Sequence, residues 1–137
     1  MDSMNIVPLE QDAWAEATWP LGAHPHADGV TFAVHAPDAT RILLAIFDAA
    51  IGAEPLATYD LAKCDDGVWR GRLQGLELGT FYGFRAWGPN WPSVDAWTPG
   101  TSEGFVADLD EKGNRFNPNK LLFDPYAREI TPVSYTH

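Results

Sequence analysis

Apolar and polar positions alternate with a period of two along several short runs of the chain, and this alternation predicts β-strands. The runs are Val30–Ala36, Arg41–Phe47, Leu56–Leu61, Gly67–Leu73, Phe81–Trp87 and Lys120–Phe123. Turn residues separate most of them every eight to twelve residues, and no three-turn helix with an apolar face interrupts them. Short strands with regular turns are typical of antiparallel sandwiches. We therefore predict an all-β, immunoglobulin-like antiparallel sandwich with long loop excursions.

Two of these strands differ in how their faces are used. Phe81–Trp87 has one side built from Tyr82, Phe84 and Ala86, and an opposite side built from Phe81, Gly83, Arg85 and Trp87. The first side predicts a core face, whereas the arginine and the tryptophan on the other side need a different explanation. Arg41–Phe47 is apolar on both sides, which predicts a central strand covered on each face.

The places where the alternation starts and stops suggest how the chain is divided. We expect a weakly ordered segment over residues 1–19, a sandwich domain over 20–130 with a loop excursion over 89–114, and a C-terminal tail over 131–137. Within the first segment, Gln11–Thr18 could form one or two helical turns, or the segment could dock through Trp14 and Trp19. Ordered excursions as long as 89–114 usually carry function or pack against another surface.

Composition and charge narrow the range of partners. The 137 residues carry a formal net charge of −10, which argues against nucleic acid or an anionic membrane surface as partner. A sugar or a protein surface remains compatible. Cys64 is the only cysteine, so no intrachain disulfide can form. The N-terminus lacks the basic start and apolar run of a signal peptide, and we expect a cytoplasmic location.

Catalytic and metal-binding patterns are weak. The sequence has no Gly-x-Ser-x-Gly elbow and no phosphate-binding glycine loop, and the acid pair Asp65-Asp66 falls in a predicted turn without an evident cleft. His24 and His26 lack further ligands at informative spacing. Asp108–Asn114 has the start of a calcium loop but lacks its closing acid. We predict no catalytic residue, no metal and no cofactor in this chain.

Aromatic residues provide the richest signal and leave two alternatives open. Sugars stack on exposed aromatic rings while polar side chains fix their hydroxyls, and the candidates for such a platform are Trp69, Arg85, Trp87, Asn90 and Trp97. Rigid aromatics with arginine are equally typical of domain cores and protein interfaces. The turn Gly88–Pro92 could wedge Trp91 against a neighbouring domain.

A set of motifs in fixed order resembles a known family. The motifs are Pro20-Leu-Gly-Ala, Asp28-Gly-Val-Thr-Phe-Ala-Val, Ala39-Thr-Arg-Ile, Asp66-Gly-Val-Trp, Tyr82-Gly-Phe-Arg-Ala-Trp-Gly-Pro and Arg115-Phe-Asn-Pro-Asn-Lys-Leu-Leu-Phe-Asp-Pro-Tyr-Ala. Together they resemble the N-terminal domain of isoamylases and bacterial glycogen debranching enzymes over Pro20–Ile130. Gly88-Pro-Asn-Trp-Pro and Gly104-Phe-Val-Ala-Asp are closer to the isoamylase branch.

The resemblance implies an early-set immunoglobulin-like module of the family-48 carbohydrate-binding class. In that family the module precedes a (β/α)₈ barrel that hydrolyses α-1,6 branch points of glycogen or amylopectin and carries the catalytic carboxylates. The parent would then be an α-1,6-glucosidase, and this chain a part without catalytic residues. Some isoamylases bind calcium through an acid shortly after Asp-Pro-Tyr-Ala, and Val133 stands near that place here.

Two functions follow from the resemblance. The first is a module that packs on its own barrel and helps position a branched α-glucan. Its predicted interface residues are Trp91, Pro92, Arg115, Phe116, Asn117, Asn119 and Tyr126. The second is an autonomous α-glucan-binding module that uses exposed tryptophans among Trp69, Trp87 and Trp97. Exposure of two such rings on one face would favour the second function, and burial of all of them would exclude it.

Overall fold

The computed structural model describes residues 5–47, 54–76 and 80–122, which form two antiparallel sheets around one core. The strands are β1 (Val7–Pro8), β2 (Gly22–His26), β3 (Gly29–His35), β4 (Arg41–Phe47), β5 (Ala57–Asp60), β6 (Ala62–Lys63), β7 (Val68–Gln74) and β8 (Phe81–Trp87). A 3₁₀ helix, Gln11–Glu16, follows β1. In the part of the chain just delimited, no helix is long and apolar enough to cross a membrane.

The first sheet has the order β1-β7-β3-β2. Strands β6 and β1 pair with the same edge of β7, β6 with Trp69 and Arg70 and β1 with Leu73 and Gln74. The second sheet has the order β5-β4-β8. A single bridge between Phe84 and Leu122 adds backbone pairing to the outer edge of β8. Strand β4 is therefore the central strand of its sheet, as the apolar character of both its faces predicted.

The core lies between the inner faces of the two sheets. Its buried side chains include Val30, Phe32 and Leu73 from the first sheet and Ile42, Leu44, Ile46, Tyr82, Phe84 and Ala86 from the second. The rings of Phe32 and Tyr82 meet edge to face at 5.2 Å and join the sheets across this core. The arrangement confirms the predicted all-β, immunoglobulin-like sandwich, and it confirms the core face of β8.

The described part of the N-terminal segment is integrated into the sandwich, which differs from the weak order expected for residues 1–19. β1 pairs with the end of β7, and the 3₁₀ helix delivers Trp14 into the core with 2% of its surface exposed. A Cβ on Gly71 of β7 would lie only 3.2 Å from the Trp14 ring. Trp14 thus fills the space in the core that a residue without a side chain leaves on β7.

Strand ends also differ slightly from the predictions. The run predicted at Leu56–Leu61 is shorter, Ala57–Asp60, and the run predicted at Lys120–Phe123 is reduced to the bridge at Leu122. Phe123 lies outside the described residues. The two-residue strands β1 and β6 are too short to show any alternation, so the sequence pattern could not predict them.

Candidate functional site

The chain leaves β8 through a tight turn at Gly88–Trp91, and the excursion that follows, residues 88–122, is called here the 88–122 loop. The backbones of Gly88 and Trp91 exchange two hydrogen bonds of 3.2 and 2.9 Å. Any Cβ on Gly88 would overlap the ring of Phe116, so glycine is required for this close approach. The turn is closed by these two hydrogen bonds and packs against a later part of the same loop.

Asn90 holds the 88–122 loop together from inside. Its side chain is 2% exposed, and its amide nitrogen donates to the carbonyl oxygens of Ala107 (3.1 Å) and Phe116 (3.0 Å). Its amide oxygen accepts a hydrogen bond from the backbone N–H of Phe116 at 3.0 Å. A buried amide with all these partners is not free to bind a sugar hydroxyl. The predicted role of Asn90 in sugar binding does not fit this position.

Trp91 also makes its contacts within the module. Its side chain is 8% exposed, its indole N–H donates to the carbonyl of Glu103 at 2.9 Å, and its ring meets that of Phe105 edge to face at 5.0 Å. The ring that was predicted to wedge against a neighbouring domain is instead buried under its own loop. What the loop presents to solvent at this place is Phe105.

The outer face of β4 and β8 carries a packed cluster of aromatic and basic side chains. Trp87 is fully buried, meets Trp97 edge to face at 5.2 Å, and has the guanidinium of Arg41 4.7 Å from its ring centroid. Arg85 lies 5.6 Å from the centroid of Trp97 and donates to the carbonyl of Pro118 at 2.8 Å. Burial lowers the pKa of Arg85. These contacts fasten the 88–122 loop to the sheet.

Trp69 lies elsewhere. It belongs to the core cluster, is 6% exposed, and its indole N–H donates to the carbonyl of Ala36 at 2.9 Å. The structure thus brings Arg85, Trp87 and Trp97 together but buries Trp69 in the core. Among the predicted sugar-binding tryptophans only Trp97 is partly exposed. Two open rings on one face, the arrangement that would favour a glucan platform, are therefore not formed by Trp69, Trp87 and Trp97.

The predicted interface residues divide into internal and exposed ones. Phe116 packs against Gly88, and Asn119 joins the loop to itself by accepting from the N–H of Gly100 (2.8 Å) and donating to the carbonyl of Thr101 (2.9 Å). The remaining predicted positions have the following places: Pro92 is half-buried, Arg115 and Asn117 are exposed, and Tyr126 lies outside the described residues.

A cleft of about 490 Å³ opens beside this loop, and sequence reasoning missed it. Its lining residues are Asp38, Pro89, Asn90, Val106, Ala107, Leu109, Asp110, Glu111 and Lys112. The signal that could have pointed to it is the pair Phe105-Val106, two large apolar residues inside an otherwise polar, glycine-punctuated segment. The motif Gly104-Phe-Val-Ala-Asp contributed to the family resemblance, but no role was derived from it.

The acidic side of the cleft is fixed by hydrogen bonds. Asp38 accepts from the side-chain amide of Asn114 at 2.9 Å and pairs with Lys112 at 3.1 Å, and these contacts lower the pKa of Asp38. Burial would raise the pKa of Asp110, but hydrogen bonds from Asn114, and from the backbone N–H of Lys112, outweigh it and lower that pKa. Both carboxyls are therefore charged at neutral pH. Across residues 5–47, 54–76 and 80–122, no three His, Cys, Asp or Glu side chains cluster closely enough to hold a metal ion.

The family model and the two sequence relatives agree on one family. Residues 20–127 match the model of carbohydrate-binding module 48, the isoamylase N-terminal domain. The chain is 45% identical over 120 residues to the isoamylase of Pseudomonas amyloderamosa, covering 81% of this chain and 16% of that protein. It is 38% identical over 122 residues to the glycogen debranching enzyme of Salmonella typhi, covering 89% of this chain and 15% of that protein. A pullulanase of Paenibacillus barengoltzii, solved with maltohexaose and α-cyclodextrin, superposes with a TM-score of 0.48 at 19% identity, over 57% of this chain and 12% of that one.

Proposed function

This chain belongs to the carbohydrate-binding module 48 family, the isoamylase N-terminal domains, and we propose that it is the scaffold module of a debranching enzyme rather than a sugar-binding unit of its own. In this role it packs on a catalytic barrel that hydrolyses α-1,6 branch points of glycogen or amylopectin. The module would help to position the branched glucan without supplying a catalytic group. The cytoplasm remains the proposed location.

The observation that carries the proposal is the burial of the aromatic residues. Trp69, Trp87 and Trp91 are each less than a tenth exposed, and their contacts are with the sandwich and the 88–122 loop. A glucan platform needs ring faces open to solvent, whereas a scaffold needs a rigid surface. The buried tryptophans and the hydrogen bonds of Asn90 favour a rigid surface and leave no pair of open ring faces among Trp69, Trp87 and Trp91.

The lengths of the relatives support a larger parent. The chain spans only 16% of the Pseudomonas isoamylase and 15% of the Salmonella glycogen debranching enzyme. In those proteins the matching region is a small part of a much longer chain. A (β/α)₈ barrel needs roughly 250 residues, more than this chain has in total. We therefore assign the catalytic carboxylates of the parent to residues other than these 137.

Two measurements on the same preparations test the proposal. The full-length product of the gene should release reducing ends from amylopectin, and the 137-residue chain alone should release none. Titration of the isolated chain with maltoheptaose and with glycogen, followed by tryptophan fluorescence and amide NMR shifts, should show no saturable change up to millimolar sugar. A glucan titration curve confined to Trp97 and Arg85 would contradict the scaffold role and assign the chain to autonomous glucan binding.

A further inference from the structure

Three large apolar side chains project from the 88–122 loop in a short stretch, which we call the 105–109 ridge: Phe105, Val106 and Leu109. Their exposed fractions are 46%, 66% and 47%. Val106 and Leu109 also line the 490 Å³ cleft, so the ridge and the cleft form one continuous surface. Scattered exposed apolar residues are ordinary, but neighbouring ones beside a cleft mark an interaction site.

The ridge is held in place by buried groups. The backbone N–H groups of Val106 and Ala107 both donate to the carbonyl oxygen of Asn90, each at 3.0 Å. Gly104 just before them has φ +89°, and a Cβ there would lie 2.5 Å from the carbonyl oxygen of Pro92. The ring of Phe105 rests against the buried Trp91. A surface fixed in this way loses little conformational entropy when a partner covers it.

Charge on the rim indicates what kind of partner fits. Asp38, Asp110 and Glu111 supply three carboxylates, and Lys112 supplies one ammonium that is already paired with Asp38. The rim is therefore negative at neutral pH and complements lysine or arginine side chains. The ridge is mainly aliphatic, and glucans are bound by open aromatic faces. The surface consequently favours an apolar protein surface flanked by basic residues over a sugar.

We propose that the 105–109 ridge and the adjoining acidic cleft are the surface by which this module docks on the rest of its parent protein. The inference rests on the proposed scaffold function and specifies the contact face and the partner chemistry. Because the chain spans 16% of the Pseudomonas isoamylase, most of such a parent lies outside these residues and is available to cover the surface. Trp91 and Phe116 then shape the interface from beneath and do not themselves touch the partner.

Cysteine labelling in the full-length gene product and in the isolated 137-residue chain tests this face. Val106→Cys and Leu109→Cys report on the ridge. The matched controls are Leu21→Cys, an exposed position just before β2 of the opposite sheet, and Asn117→Cys, an exposed position among the interface residues predicted from sequence. The natural Cys64 is 6% exposed and gives a slow background with a maleimide reagent.

We expect maleimide to label both ridge cysteines at least about tenfold more slowly in the full-length protein than in the isolated chain, because a covered site reacts only when it opens. The two control cysteines should react at equal rates in both proteins. Slowing at Asn117→Cys without slowing at the ridge would overturn this inference while preserving the scaffold function, since the module would dock by another face. Full reactivity of both ridge cysteines would overturn this inference alone, whereas a gene product that ends with this chain would overturn both the inference and the scaffold function.

A second variant separates docking from folding. Val106→Asp combined with Leu109→Asp places two charges where the partner would contact the ridge. The melting temperature of the full-length protein should fall by more than that of the isolated chain, in which the two new carboxylates add only repulsion to the acidic cleft. An equal effect on both proteins would contradict docking. Protection of the ridge cysteines in the isolated chain by added glycogen would assign the surface to glucan and would also contradict it.

Discussion

Asn90 shows how one side chain can determine the shape of a long loop. Its amide group satisfies the carbonyl groups of Ala107 and Phe116 and the backbone N–H of Phe116, all at 3.0–3.1 Å in a buried position. Its own backbone carbonyl accepts from the N–H of Val106 and of Ala107. A buried unsatisfied group costs more than a hydrogen bond contributes, so this position tolerates few substitutions.

Asn90→Asp should destabilise the module by about 3 kcal/mol or more, because a carboxylate oxygen would replace the donor that now faces two carbonyl oxygens. Urea unfolding followed by tryptophan fluorescence measures the change. Asn117→Asp is the matched control: its side-chain oxygen accepts from the N–H of Asn119 at 3.0 Å, a bond that aspartate retains. The free energy of unfolding of the control should lie within about 0.5 kcal/mol of that of the unsubstituted chain. Equal effects of the two variants would contradict the assigned role of Asn90.

Among the elements, the N-terminal 3₁₀ helix contributes more to the core than its length suggests. It has six residues, yet it buries Trp14 against β7, and the indole N–H of Trp14 donates to the carbonyl of Leu9 at 2.7 Å. Together β1 and this helix occupy the outer edge of β7 beside β6. Residues 7–16 therefore protect a sheet edge that would otherwise be open to pairing with another chain.

Trp14→Ala should cost about 3–5 kcal/mol of unfolding free energy, the range for deleting a large buried aromatic side chain. Thermal and urea unfolding of the isolated chain measure it. Glu16→Ala, an exposed position of the same helix, should change stability by no more than about 0.5 kcal/mol. If both variants were neutral, the burial of Trp14 would contribute nothing to the stability of the sandwich, and the role assigned to this helix would be wrong.

For the whole molecule, the arrangement of charges ties stability to pH. The side-chain hydrogen bond from Arg70 lowers the pKa of Asp66, that from Arg72 lowers the pKa of Asp28, and Asn114 and Lys112 lower that of Asp38. In the unfolded chain these carboxyls return to their ordinary pKa near 4. The unfolded state therefore binds more protons as the pH falls below that value, and the folded state loses stability.

The melting temperature should hence be level between pH 7 and 5 and fall steadily from about pH 4 downwards, as the carboxyls are protonated toward their lowered folded-state pKa values. Asp66→Asn should lower stability at neutral pH and flatten the decline below pH 4, because the group that gains a proton is gone. Asp95→Asn, which removes an exposed carboxyl of the 88–122 loop, serves as control and should leave the dependence of the melting temperature on pH unchanged. A steeper decline in Asp66→Asn would contradict the assignment.

Much of the sandwich could be predicted because its signals are local. Alternation along Phe81–Trp87 assigned Tyr82, Phe84 and Ala86 to the core, and the two apolar faces of Arg41–Phe47 placed that strand in the centre of its sheet. The motifs that resemble isoamylase domains identified the family. Each of these inferences depends on neighbours in sequence or on an ordered set of residues, both of which a single chain displays directly.

Sequence by itself could determine neither the exposure of the tryptophans nor the position of the exposed surface. The sequence alone does not distinguish Trp69, Trp87 and Trp97. In the structure Trp69 lies in the core between the sheets, Trp87 is buried beneath Trp97 and Arg41, and only Trp97 of the three is partly exposed. The position of the ridge depends on two such features. The backbone carbonyl of Asn90, distant in sequence, accepts from the N–H groups of Val106 and Ala107, and Gly104 adopts a backbone conformation with φ +89° just before the ridge. Burial depends on which distant segment covers a side chain, and only the tertiary structure decides that.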